Sequence, residues 1–170
     1  GYNYFDGNSW TMSVATAPST EPRLETSRVG WPSLLKLGNG GECAITHSTG
    51  NSNLNMASRT TIGSGSWNNI NISEDYLIWN RSAAGGPDGN TIHTVALTEP
   101  SGGTWTGQIY QGLNGALLYF RSLDGGNYWD IEMMILPGID STKFLGFGGD
   151  NYAITAKGST VAIAYFNGWA

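Results

Sequence analysis

Short apolar runs broken by glycine-rich turns fill the chain from end to end. Gly30-Trp31-Pro32-Ser33-Leu34-Leu35 is followed by Gly38-Asn39-Gly40-Gly41 and then by the run Glu42 to His47. Asp75-Tyr76-Leu77-Ile78-Trp79 leads through a glycine-rich turn to Thr91 through Leu97. Asp150 to Thr155 leads through Lys157-Gly158 to Thr160 through Tyr165. Each reads as strand, turn, strand, the pattern of a β-hairpin. Leu117 to Phe120 and Asn127 to Leu136 make a further pair around Asp124-Gly125-Gly126. No run sustains an apolar stripe at helical spacing, so the pattern predicts an all-β fold.

The turn after Phe120 carries a specific spacing. Ser122, Asp124, Gly126 and Trp129 spell Ser-x-Asp-x-Gly-x-x-Trp. Glycine takes positive φ at no steric cost, and an aspartate can accept hydrogen bonds from its own turn backbone. Arg59 to Trp67 echoes this stretch in its basic residue, hydroxyl, glycine and tryptophan. Ile62 replaces the aspartate there, so that turn is expected to lack a side-chain acceptor. Tyr2 to Trp10 keeps an Asp6-Gly7 turn and the tryptophan. Trp10, Trp67 and Trp129 thus recur about every 60 residues, which indicates a repeated supersecondary unit with the tryptophans packed between repeats.

The Ser122–Trp129 spacing resembles the Asp-box, also called the BNR repeat, of sialidase-like β-propellers. Sortilin-like receptors, xyloglucanases and photosystem assembly factors carry such boxes too. The resemblance implies a segment of a β-propeller with four-stranded antiparallel blades, two complete and two half. Residues 1–17 would end one blade, 22–75 and 76–138 would be whole blades, and 139–170 would begin another. The second whole blade holds a long insertion around Pro100 to Asn114. Two whole blades and two halves leave open edges, so a longer propeller is expected, completed by blades of the same protein or by partner chains. The lack of an initiator Met and of a leader-like stretch fits a processed or truncated product. The other arrangement open to these strands is a self-contained β-sandwich.

Composition narrows the function classes. The formal net charge of −5 and the lack of a basic cluster argue against nucleic-acid binding. No apolar run reaches the length needed to span a bilayer as a helix. The single cysteine, Cys43, sits in an apolar strand and reads as a buried thiol. The low charge and the wealth of Ser, Thr, Asn, Gly and aromatic residues resemble a secreted bacterial surface protein.

Candidate chemistry concentrates in arginines and aromatics. The family's hydrolases bind a substrate carboxylate with three arginines, suited by the planar, bidentate guanidinium. Arg28 and Arg81 flank inner strands and are the candidates for an anionic ligand. Arg59 and Arg121 sit in the box frame, where a structural role is expected. Neither a third inner arginine nor the Arg-Ile-Pro element of the family is present. Trp31 and Trp79 fall on inner strands, and Trp105 and Tyr110 lie in the insertion. These four are candidate contacts for carbohydrate or protein. The box residues Ser122, Asp124, Gly126 and Trp129 are assigned to structure. Glu74, Asp75, Asp88, Glu99, Asp140 and Asp150 lie at turns or strand ends without a recognisable catalytic pairing. His47 and His93 lack metal-ligand spacing, so neither a metal nor another cofactor is expected. The reading is a non-catalytic recognition or scaffold module. The alternative is a sialidase-type glycoside hydrolase whose site is completed outside this segment.

Overall fold

The computed structural model describes residues 1–11, 23–50, 53–73 and 76–166. Glu74, Asp75 and the proposed strand ends at residues 12–17 lie outside them. Among the described residues every regular element is a strand. β1 (Val29–Lys36), β2 (Glu42–Ser48), β3 (Leu54–Arg59) and β4 (Asn68–Ser73) form one four-stranded antiparallel sheet in chain order. β5 (Leu77–Gly85) and β6 (Thr91–Thr98) begin a second. A small hairpin of β7 (Ser101–Gly102) and β8 (Trp105–Thr106) then interrupts it. β9 (Leu117–Ser122) returns beside β6, and β10 (Trp129–Ile135) closes the sheet in the order β10-β9-β6-β5. β11 (Tyr152–Lys157) and β12 (Thr160–Tyr165) pair as a final hairpin. None of these sheets closes into a barrel.

β2 and β6 are buried along their whole length, which explains why they read as apolar runs rather than as an alternation. β10 alternates because it is an edge strand with one face in water. The core runs continuously from Leu35, Ile45 and Met56 in the first sheet to Ile92, Leu97, Leu118 and Phe120 in the second. Cys43 is fully buried in it, and burial followed by the Glu42 charge pushes its thiol up to about 12. The first strands β1, β5 and β11 lie next to one another. Ser82 N–H donates to Ser33 Oγ at 3.1 Å, linking β5 to β1. The Tyr152 hydroxyl donates to the Trp79 carbonyl, linking β11 to β5.

Antiparallel pairing gives the assembly two ends. At the lower end lie the turns of the three main hairpins, joined by Gly38 N–H to Gly89 O at 3.1 Å and Gly86 N–H to Gly158 O at 2.6 Å. The Ser122–Trp129 turn lies at this end as well, because Ser122 pairs with Ile92. Its Ser122 hydroxyl donates to Asp124 Oδ1 at 2.9 Å and accepts from Gly126 N–H at 2.8 Å. Asp124 Oδ1 accepts from Tyr128 N–H at 3.0 Å. Gly125 and Gly126 take φ of 77° and 95°, as the turn requires. The buried centre of this network is Ser122, fully inaccessible, whereas Asp124 is exposed.

The Arg59–Trp67 loop does have a carboxylate acceptor, contrary to the expectation from Ile62. Glu42 of β2 supplies it, accepting from Gly63 N–H at 3.0 Å and from Arg59 Nε at 2.7 Å. The Arg59 guanidinium lies 4.6 Å and 4.3 Å from the ring centres of Tyr2 and Trp67. Residues 1–11 dock here as a turn closed by a single Phe5–Trp10 bridge. Asp6 holds it by accepting from Asn8 and Ser9 N–H groups. Of the three repeated tryptophans, Trp129 is buried, but Trp10 is 59 % exposed with Phe5 as its ring partner.

Candidate functional site

The upper end, where β1, β5 and β11 begin, carries a run of aromatic rings. Both β1 and β5 bulge there. Trp31 and Pro32 together stand opposite Thr46, and Trp79 and Asn80 stand opposite Ala96. An extra residue bends the strand and re-aims its side chain. Trp31 and Trp79 occupy the same position in the two bulges, with φ of 50° and 51°. That left-handed conformation ordinarily selects glycine or asparagine. Bulky residues held in it are a recognised mark of a functional position.

The second bulge is fixed from three sides. Trp79 N–H donates to His47 Nδ1 at 3.1 Å, so the neutral imidazole carries its proton on Nε2. Asn80, fully buried, donates to the Ile45 carbonyl at 2.9 Å. The Gly149 backbone lies flat against the indole, and a Cβ there would sit 2.6 Å from the ring. Trp79 meets Trp31 edge-on at 6.2 Å between ring centres, and Trp105 edge-on at 5.2 Å. Trp31 also stacks obliquely on His47 at 5.2 Å.

Trp79 and Trp105 both line a cleft of about 390 Å³. Pro100 and Asn114 of its lining come from the insertion, and Leu145 and Phe147 from the loop before β11. Asn114 braces the hairpin by accepting from Ser101 N–H at 2.7 Å and donating to the Ser101 carbonyl at 3.1 Å. Among the described residues, no Asp, Glu, His, Cys, Lys or Arg side chain lines this cleft. Its described lining therefore offers aromatic rings, a serine hydroxyl and an asparagine amide.

Three of the sequence candidates, Trp31, Trp79 and Trp105, come together; the others do not join them. Arg81 donates to the carbonyls of Asn80 at 3.1 Å and Gly149 at 3.3 Å, and pairs with Asp150 at 3.4 Å. It ties β5 to the approach of β11. Arg28 is exposed just before β1, where its carbonyl accepts from Thr49 N–H at 2.9 Å. Tyr110 lies across the insertion, in a second cleft. Arg121 is engaged at the lower end with Asp130 through both Nε and Nη2. His93 contacts the Tyr119 hydroxyl at 2.6 Å. Among the described residues no three His, Cys, Asp or Glu side chains gather as a metal would require.

Pro100, Leu145 and Phe147 were not legible as site residues. The last two arrive from a loop far along the chain and carry no local signal. The β7–β8 hairpin did have one, Gly102-Gly103 between Ser101 and Trp105. No protein-family model matches the chain. No curated protein is similar enough in sequence to bring a function with it. No helix among the described residues is long and apolar enough to cross a membrane.

Proposed function

We propose that this chain is a recognition module that binds neutral carbohydrate in the aromatic cleft and does not hydrolyse it. The observation that carries this is the contiguous run Trp31–Trp79–Trp105, its first two members held on strained bulges, beside a cleft with no ionisable side chain among its described lining residues. Pyranose rings present apolar C–H faces that stack on indoles, while their hydroxyls accept from indole N–H groups. The cleft volume falls in the range of small-ligand sites and suits one or two sugar rings. Anionic sugars are disfavoured because Arg81 is committed elsewhere.

In architecture the proposal is an arc of a sialidase-like propeller. Side-by-side first strands, turns stacked at one end and four-stranded sheets in chain order support that reading. A secreted, cell-surface setting agrees with the low charge and the aromatic surface. Other blades or partner chains would extend the arc beyond β12 and residues 1–11.

The test is calorimetric titration of neutral and sialylated oligosaccharides, beside turnover of aryl glycoside and aryl sialoside panels. Binding of neutral glycans without turnover is expected, with Trp105→Ala and Trp79→Gly each weakening it at least about tenfold. Turnover abolished by Arg81→Ala in a folded protein would establish a hydrolase instead.

A further inference from the structure

The insertion separates two clefts, and the second has a different chemistry. In the two-residue strand β8, successive side chains leave on opposite faces. Trp105 enters the first cleft and Thr106 the second. This second cleft, of about 310 Å³, is lined by Tyr76, Glu99, Thr106, Ile109, Tyr110 and Met133. It is independent of the neutral-carbohydrate reading and shares no lining residue with the first cleft.

Its construction points to a ligand. Tyr76 and Met133 both stand at φ of 53°, so two of its wall residues are held in the left-handed region. The backbone fixes Tyr76 through its carbonyl, which accepts from Glu99 N–H at 2.6 Å. Glu99 is only 8 % exposed, and its Oε1 accepts from both the N–H and the hydroxyl of Thr106 at 3.3 Å. Tyr110 is positioned by paired backbone bonds with Leu113 and by its hydroxyl, which donates to the Met133 carbonyl at 3.5 Å. Tyr76 nevertheless keeps 53 % of its surface exposed, and Ile109 keeps 62 %. Among the described residues, no lysine or arginine lines the cleft.

We propose that the cleft formed by Tyr76, Glu99 and Tyr110 binds an organic cation, an alkylammonium head of the kind carried by a lysine side chain or by a free quaternary amine. Tyrosine faces attract cations through the ring quadrupole, most strongly where water is displaced. A carboxylate in partly desolvated surroundings adds a Coulombic attraction that bulk water would screen. Ile109 and Met133 offer apolar surface to the methyl or methylene groups around the charge. The overall negative charge of the chain favours approach of a positively charged ligand.

The experiment titrates the chain with choline, with N-acetyl-lysine methylamide and with 3,3-dimethylbutanol, the uncharged isostere of choline. Heteronuclear NMR at low and at high salt provides the readout. One or both cations should shift resonances of Tyr76 and Tyr110, at least about tenfold more tightly than the alcohol, and binding should weaken with salt. Choline alone would identify a quaternary head, and the lysine derivative alone a hydrogen-bonding primary ammonium. Tyr76→Gly removes a ring while placing glycine where φ is positive, so the fold is retained and cation affinity should fall at least about tenfold. Glu99→Gln should do the same and remove the salt dependence, whereas Trp105→Ala should leave cation binding intact. Equal affinity for the alcohol, wild-type affinity in Tyr76→Gly, or no shift with either cation would overturn the proposal.

Discussion

His47 on β2 accepts the backbone N–H of Trp79 on β5 at 3.1 Å, so a side chain of one sheet fixes a strained bulge in the next. The bond needs an unprotonated Nδ1. Burial holds the His47 imidazole below its ordinary value of 6.5, although the hydrogen bond with Asn80 opposes this.

A pH dependence follows from that arrangement. Between the lowered folded value and 6.5, the unfolded His47 binds a proton that the folded one refuses. The neutral ring therefore contributes fully above 6.5, and its contribution is lost as pH falls through the folded value. His93 is lowered as well, by burial and then by the Arg121 charge, and acts in the same direction. Melting temperature should be flat from mildly alkaline to neutral pH and drop as the solution becomes mildly acidic. His47→Gln, whose amide oxygen can still accept, should remove part of that drop. Melts showing rising stability across the same interval would contradict the assignment.

The first bulge gives a separation of stability from binding. Trp31 is 47 % exposed and left-handed. Trp31→Gly relieves about 1–2 kcal/mol of backbone strain while losing a half-exposed ring, so the net change should stay within about 1 kcal/mol. Binding of a single sugar in the cleft should persist. Affinity for longer neutral oligosaccharides, which would reach Trp31 past Trp79, should fall. Isothermal titration with a chain-length series distinguishes these outcomes.

At the Ser122–Trp129 turn the hydroxyl should matter more than the carboxylate. Ser122→Ala leaves the buried Gly126 N–H without its acceptor and should cost about 1–3 kcal/mol. Asp124→Ala removes bonds made in water and should cost about 1 kcal/mol. Burial would raise the Asp124 carboxyl, but the Tyr128 N–H, then the Ser122 hydroxyl, hold it below the ordinary range. Its contribution is thus present at neutral pH and lost in acid below 3.8. Chemical denaturation of both variants gives the comparison, and neither should alter ligand affinity.

The Glu42–Arg59 pair is the costliest to break. Its side chains are 5 % and 7 % exposed, and Nη2 lies 2.6 Å from Oε1. Glu42→Ala would strand the guanidinium and the Gly63 N–H together, with a loss of about 3–5 kcal/mol. Glu42→Gln, which keeps the acceptor but not the charge, should lose less. The difference between the two in urea melts separates hydrogen bonding from charge.

Much of the fold was legible because hairpins advertise themselves locally. Glu42–His47 and Thr91–Leu97 are apolar runs bounded by glycine turns, and both are strands within one residue of the expected ends. The site was legible only in part. Trp31 and Trp79 were singled out by residue type, but their bulges could not be foreseen, since a tryptophan at positive φ contradicts the local rule that turn prediction relies on. Glu42 supplies the acceptor to the Arg59–Trp67 loop from a different strand, beyond the reach of any spacing argument. Tyr110 was grouped with the tryptophans by its place in the insertion, but it lines the second cleft with Thr106 rather than the first.

The six-residue strand β9 runs from the insertion at one end to the box at the other, a separation of roughly 17–20 Å. Distant sites of this kind respond to substitution independently. Selection could therefore trade one set of upper loops for another while leaving the Ser122 network untouched. If the upper clefts bind as proposed, a scaffold of this design can diversify that face by loop replacement, so that its ligands change faster than its fold.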